Sequence, residues 1–448
     1  MSPTTLAAPP TTARPRPRAR LRTGWPLGLA LAGYPLWWAV GATDLLLPVT
    51  AFLLLFQMPK RVRLPVGWGL WLLFLVCVVA SATALDLAAP GTVPPSGGGR
   101  YVAYAVRLVS YVAVFVVAVF LVSTDEEQLS RRRVQGWLVA LAVQVAALGW
   151  LALLLPGFSF PTLLGGLVPG APSTASLAQV QDVIGTPAPR PAAPFAYTNA
   201  WGASLLLLLV WLTATWVVGA RGLRRTAGVL VVVAAVVPLV LSLNRGVWIG
   251  AGLVVLYVAV RTALRGRLLL VGVVALAAVF GGGAVAASPL GEVVSARAQS
   301  GHSDDIRTTL AEDAVRLATT SPVLGYGTTR DTLGSGRSIA IGQSPDCPRC
   351  GNRVIGSTGQ LWLVLVSQGL LGAGLYLAFL VRSAWAFRND WSATSVAASA
   401  SVLLCLYYSA FYTALVLPLL VTFIAIGLLH RQRAVQCSEA AAPVGAAR

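Results

Sequence analysis

The chain has 448 residues, is 56% hydrophobic and 11% charged, and carries a formal charge of +18 with a mean hydropathy of +0.76. So apolar a composition excludes an ordinary soluble domain and a disordered chain. The charge excludes nucleic acid as the partner, because the arginines stand in small clusters between apolar runs.

In chain order, residues 1–24 set Arg14, Arg16, Arg18, Arg20 and Arg22 among prolines and predict a disordered basic cytoplasmic tail. Further apolar runs follow the first, and no small-residue cleavage pattern marks a removed signal peptide. A helix crossing a bilayer needs roughly 20 apolar residues. Runs of about that length predict spans near 25–41, 43–58, 64–83, 101–123, 135–156, 197–219, 226–242, 246–260, 268–287, 357–381, 392–412 and 415–429. The expected fold is therefore an all-α polytopic membrane protein of about 12 transmembrane helices with one large, partly helical extracytoplasmic loop. Nine spans fall in 25–287, the loop in 288–356, three spans in 357–430, and a second tail in 431–448. With that count, the clusters at Lys60/Arg61/Arg63, Arg131/Arg132/Arg133, Arg221/Arg224/Arg225, Arg261/Arg265/Arg267, Arg382/Arg388 and Arg431/Arg433 share one side. The positive-inside rule makes that side cytoplasmic, both termini included, in an inner or plasma membrane.

Three segments on the other side are long. Asp86 to Gly99 is rich in proline and glycine and reads as a connector. Pro156 to Pro194 holds glycine and proline turns and ends at Arg190, just ahead of a membrane helix. The large loop carries seven acids, seven arginines and His302 between Ala287 and Ser357. Within it, Ser303 predicts a helix N-cap, and Ile306, Leu310, Ala314 and Leu317 form one apolar face. That helix should stop ahead of Pro322, and Gly325-Tyr-Gly327 should turn the chain. Cys347 and Cys350 suit a disulfide pinning the loop, with free thiols or a metal site as the other readings. A zinc site would need two further ligands, and only His302 is near in sequence. Cys77, Cys405 and Cys437 stand singly.

Arginines are the candidates for chemistry. Arg245 lies at the mouth between two apolar runs, where a guanidinium either meets an anion or anchors the helix to headgroups. Its planar fork matches a diphosphate. Arg107 lies about two turns inside the fourth run and needs an acceptor such as Asp44, a carbonyl or a lipid phosphate. Arg307 on the loop helix and Arg190 before its Pro-Ala-Ala-Pro turn read either as ligands or as surface ion-pair and capping residues. His302, Asp304, Asp305, Glu312 and Asp313 could supply an acid or base. No phosphate-binding loop, dinucleotide turn, metalloprotease helix or nucleophile elbow is present, which argues against ATP-driven or protease chemistry.

Four stretches, taken in order, resemble the O-antigen ligase and polymerase superfamily of bacterial membrane glycosyltransferases. They are Pro194-Phe-Ala-Tyr-Thr-Asn199-Ala-Trp-Gly202; Leu241-Ser-Leu-Asn-Arg245-Gly-Val-Trp-Ile-Gly250; Arg307 with Pro322 and Leu324-Gly-Tyr-Gly327; and Gln360-Leu-Trp-Leu through Gln368-Gly-Leu-Leu-Gly372. The resemblance implies transfer of a glycan from an undecaprenyl-diphosphate carrier to a glycan acceptor at the outer leaflet, with neither metal nor other cofactor. By position it makes Arg245 and Arg307 catalytic and puts Arg190, Arg107, Asn199, Tyr326 and Thr358 around the substrate. His302 or Asp304 would serve as acid or base. Where ligases of the superfamily carry His-Asn ahead of the helix after the loop, this chain has Thr358-Gly359. That departure favours a polymerase over a ligase. The rival expectation is a transporter or flippase of lipid-linked sugars, which would want polar residues along a path through both leaflets. A non-catalytic assembly scaffold is a third reading.

Overall fold

A computed structural model describes residues 22–167, 172–182, 187–299, 302–332 and 353–441. Helices dominate, as they must where long apolar runs can satisfy their backbone groups only internally. The first run is divided at Gly33 into α1 (Trp25–Ala32) and α2 (Tyr34–Val40), with Pro35 in the opening turn of the second. Next come α3 (Thr43–Leu55), α4 (Gly69–Ala80, prolonged by a 3-10 turn at Ser81–Ala84), α5 (Gly99–Ser123) and α6 (Arg131–Leu154). Two antiparallel ribbons follow, β1 (Ser159–Pro161) with β2 (Thr174–Ser176) and β3 (Ala178–Asp182) with β4 (Pro187–Pro191).

α7 (Thr198–Leu212) passes into a π turn at Thr213–Val218 and leads to α8 (Leu223–Leu241), α9 (Arg245–Ala263) and α10 (Leu268–Ala286). The large loop contributes α11 (Pro289–Gln299), α12 (His302–Thr320) and a small ribbon, β5 (Arg330–Asp331) with β6 (Val354–Ile355). α13 (Gln360–Ala386), α14 (Ala393–Ser409) and α15 (Leu417–Ala441) complete the described chain.

Six described helices are long and apolar enough to cross a membrane: α5, α6, α7 with its π turn, α8, α9 and α13. The number rises to seven if the bent pair Val271–Ala286 and Pro289–Ala298 is one span. α3, α4 and α14 are apolar but shorter. The protein is thus mostly helical with several membrane-length helices. The ribbons, which an all-α expectation omits, occupy the second long segment, where alternating prolines at 187, 189 and 191 favour extended backbone over helix.

The core lies between α4, α5, α13 and α15. Trp71 meets Phe423 at 4.5 Å between ring centroids and Phe74 meets Tyr111 at 5.0 Å. α10 instead leaves Leu269, Val273, Leu276, Val279 and Phe280 exposed, a surface that water would not tolerate and lipid would.

Hydrogen bonds sort the helix ends onto two faces. On one, the Gly24 amide donates to Gln57 Oε1 at 2.8 Å, Trp68 Nε1 donates to His430 Nε2 at 3.1 Å, and Arg431 pairs with Glu126 at 2.8 Å. The opposite face gathers the ribbons, the α8–α9 turn, α12 and the 410–416 connection. The proline- and glycine-rich stretch from Asp86 to Gly99 belongs to this second face and is more than a connector. Thr92 bridges to Thr332, the Val93 amide donates to Asp331 O at 2.9 Å, and Arg316 donates to Pro90 O at 3.1 Å. Its Leu87 and Pro90 carbonyls accept from loop arginines because proline and glycine interrupt the regular structure that would use them locally.

The predicted loop helix is present as α12, ending at Thr320 ahead of Pro322. Its apolar face packs as expected, with Leu310, Ala314 and Leu317 against Tyr326, Ile355 and Val366. The turn after it enters a break in α13. Gly369 there has φ 68 and ψ −170, so helical bonding lapses. The carbonyls of Val366 and Ser367 accept instead from the amides of Tyr326 and Gly327, each at 2.8 Å, while the Leu371 amide donates to Pro322 O at 3.0 Å. Gly325, at φ 61, must be glycine, since a Cβ would come within 2.5 Å of the Gly369 nitrogen. The loop is therefore fastened into a membrane helix by backbone hydrogen bonds.

Candidate functional site

The candidates meet at the tight turn between α8 and α9. Leu243 reverses the chain at φ 54, a left-handed conformation that its Cβ disfavours. Asn244 then caps α9, its Oδ1 accepting from the Val247 amide at 3.3 Å. The two carbonyls just before the cap are each met by an arginine from another element. Arg190 on β4 donates through Nε to Ser242 O at 2.7 Å, and Arg297 on α11 donates through Nε to Leu243 O at 3.0 Å. Arg245 follows as the first residue of α9, at the positive end of the helix dipole.

Arg190 is 7% exposed, and its remaining fork reaches Gln181 Oε1 at 2.6 Å and Asn199 Oδ1 at 3.4 Å. These partners are neutral oxygens, which satisfy the donors without cancelling the charge. Burial, followed by the nearby charges of Arg297 and Arg307, pushes the guanidinium down to about 10. It is still a cation at neutral pH. Asn199, expected beside the substrate, is thereby brought against Arg190.

Tyr412 is the hub of the cluster. Its hydroxyl donates to Asn244 Oδ1 and lies over Gly246, where any Cβ would collide with it. Burial pushes this phenol up to about 12 against the pull of Arg307 and Arg190, so it stays protonated. Arg307 thus belongs to the same neighbourhood. The structure brings Arg297 and Arg307 near Arg190, and Arg190 and Arg307 near Tyr412, with Arg245 at the adjoining helix start.

Arg107 stands apart. Its guanidinium donates to Thr328 Oγ1 at 2.6 Å and Thr329 Oγ1 at 3.5 Å, so its acceptors are loop hydroxyls, outside the expected set of Asp44, a carbonyl or a lipid phosphate. The helix that carries it is nevertheless tied to the cluster. Tyr111, one turn further along α5, accepts from Gln360 Nε2 at 2.7 Å, and the Gln360 amide donates to Tyr412 O at 2.9 Å. Beside Arg107 opens a cavity of about 410 Å³ lined by Ser96, Arg100, Thr328, Thr329 and Asp331, rich in groups that bond sugar hydroxyls.

Tyr326 is packed in the loop core, its hydroxyl bonded to Thr320 Oγ1 at 2.8 Å and its ring under Arg330 at 5.5 Å. Thr358 precedes α13 with a buried Oγ1 that has no partner among the described residues. Neither belongs to the arginine cluster. His302 and Asp304 lie in the first turn of α12, but their side chains are outside the described residues, as are Cys347 and Cys350. Among the described residues no three metal-ligating side chains gather.

Three participants escaped the sequence. Arg297 carries no motif and was visible only as one charge among many in the loop. Tyr412 lies more than 160 residues from its partner Asn244, so no local pattern could link them. Arg330 is 4% exposed and binds the carbonyls of Ala84, Leu85 and Leu87 at 3.1–3.3 Å, fixing the end of α4 to the loop. No family model, curated protein or solved structure matches the chain.

Proposed function

We propose that the chain is a membrane glycosyltransferase of the O-antigen ligase and polymerase type. It transfers a glycan from an undecaprenyl-diphosphate carrier to a sugar hydroxyl in cell-surface polysaccharide synthesis, with polymerisation favoured over ligation. The observation that carries this reading is the convergence of Arg297 and Arg307 on Arg190, beside Tyr412 and Arg245. Fixed cations suit a diphosphate that gains charge as it leaves. The acceptor oxygen attacks the anomeric carbon while the bond from that carbon to the diphosphate breaks. The electron pair departs with the lipid diphosphate toward Arg245 and Arg307, and the hydroxyl proton is released to a base or to water. The reaction inverts the anomeric centre and draws on no metal or other cofactor.

In this reading the chain crosses the plasma membrane twelve times, with both ends in the cytoplasm and the loop outside. Support comes from Gly24, which lies against the Leu129 side chain, and Arg431, which donates to Leu129 O, so that both stand on one face and the crossings between them are even in number. The test uses purified protein in liposomes carrying undecaprenyl-diphosphate-linked oligosaccharide. Release of lipid diphosphate with growing chains is the expected result, and release only on adding a foreign acceptor identifies a ligase. Passage of the lipid-linked sugar between leaflets with no release would replace the reading by a transporter.

A further inference from the structure

On the face opposite the arginine turn, two cavities lie one after the other along a single helix pair. The first is an apolar groove of about 330 Å³ between α9 and α14, lined by Leu253, Leu256, Val260, Ala400, Leu403 and Leu404. The second, of about 660 Å³, sits at the end of the same helices and is lined by Arg265, Arg388, Arg433, Trp391 and Ser392. From Leu253 to Arg265 the distance along the helix is about 18 Å at roughly 1.5 Å per residue. That is the scale of a fatty acyl chain lying below its headgroup.

A shared wall joins the two. Tyr257 and Arg261 stand four residues apart on one stripe of α9, and Arg265 follows in the turn after the helix. The Arg261 guanidinium is 5.8 Å from the Tyr257 ring and 4.1 Å from the Trp391 ring, and Arg265 reaches Trp391 from 4.9 Å. Arg261 is buried and held by the carbonyls of Arg388 and Asp390. The carboxylate in the cavity, Asp390, accepts from the Ser392 amide at 3.0 Å, Ser395 Oγ at 2.6 Å and Gln432 Nε2 at 2.9 Å. Its oxygens are thus engaged by neutral donors at the start of α14 and on α15. The arginines lining the cavity are exposed, and Leu253 and Leu256 open the groove to the surroundings at 40% and 58% exposure.

We infer that this wall binds one anionic glycerophospholipid, its phosphate among Arg265, Arg388 and Arg433 and an acyl chain along the groove. A basic cavity alone would accept any anion, and an apolar groove alone any chain. Their continuity selects a molecule that carries both. The inference needs only a bilayer around the bundle, so its failure leaves the transferase reading untouched. The site lies at the end remote from Arg245 and Arg307, so the glycan donor is not its occupant.

The test is native mass spectrometry of the full chain released from nanodiscs of phosphatidylglycerol or of phosphatidylcholine with the same acyl chains. One phosphatidylglycerol retained, with phosphatidylcholine lost, is the expected result. Arg265→Gln with Arg433→Gln should weaken retention by about thirtyfold, roughly fivefold per arginine. Leu256→Trp with Leu403→Trp, which fills the groove and spares the basic cavity, should also displace the lipid. Equal retention of both lipids, or unchanged retention in both variants, overturns the proposal. Inorganic phosphate competing as well as phosphatidylglycerol would make this a free-anion site and overturn it too.

Discussion

Arginines do different work at the two ends of the bundle. At the end holding both described chain ends, several are neutralised. Arg63 pairs with Asp125 at 3.3 Å, while Arg131 and Arg431 share Glu126 at 3.4 and 2.8 Å. At the loop-bearing end, Arg190, Arg107 and Arg330 are held by carbonyls, amides and hydroxyls. Arg100 and Arg316 at that end still pair with Asp86 and Asp313, so it is the buried or partly buried Arg190, Arg107 and Arg330, not the whole end, that keep their charge. An exposed charge pair contributes little to stability, whereas neutral acceptors hold a buried cation in place and leave its charge intact.

The comparison can be broken most sharply at the turn. Arg245→Ala or Arg307→Ala should each lower turnover of lipid-diphosphate donor by about 100- to 1,000-fold with the thermal midpoint nearly unchanged. Wild-type turnover in a folded double variant would end the transferase mechanism. Arg190→Lys keeps a charge but loses the fork across Ser242, Gln181 and Asn199. It should cost about 1.5–3 kcal/mol of stability, read by denaturant or thermal unfolding, and reduce turnover as well. Gly369→Ala tests whether the loop must be fastened into α13. It should destabilise by more than about 1–2 kcal/mol from backbone strain, with added conflict against Pro322, and expose the 321–327 turn to proteolysis.

Tyr412→Phe removes the hydroxyl bond to Asn244 and should cost about 1 kcal/mol and a modest part of the turnover. Arg63→Ala, at the neutralised end with both partners more than half exposed, should shift stability by less than about 1 kcal/mol and leave turnover alone. A large loss of turnover there would erase the distinction between the two ends.

Much of the framework was legible in order along the chain. The apolar face of Ile306, Leu310, Ala314 and Leu317 predicted α12 and its docking, because a 3.6-residue period is a local property. Pro322 marked its stop, and the paired glycines at 325 and 327 marked the turn for the same reason. Arg190, Asn199, Arg245 and Arg307 were picked out as a set, and the fold gathers the elements that carry them. Less was legible about Arg107, whose hydroxyl partners follow the loop turn, and about Tyr326, whose ring and hydroxyl are used up inside the loop core.

The amino-acid sequence by itself determined that this is a membrane-embedded, mostly helical chain, where its main polar loop lies, and which arginines are unusual for their apolar surroundings. Those are properties of composition and short period. Tertiary structure alone decided that Arg297 joins the cluster, that Tyr412 ties it to Asn244, and that Gly369 opens α13 to receive the loop. Each of these depends on contacts between residues far apart in the chain, and such contacts are set by how helices of similar hydropathy choose their neighbours. Hydropathy reports that a helix avoids water; shape, glycine gaps and buried hydrogen bonds decide what it packs against.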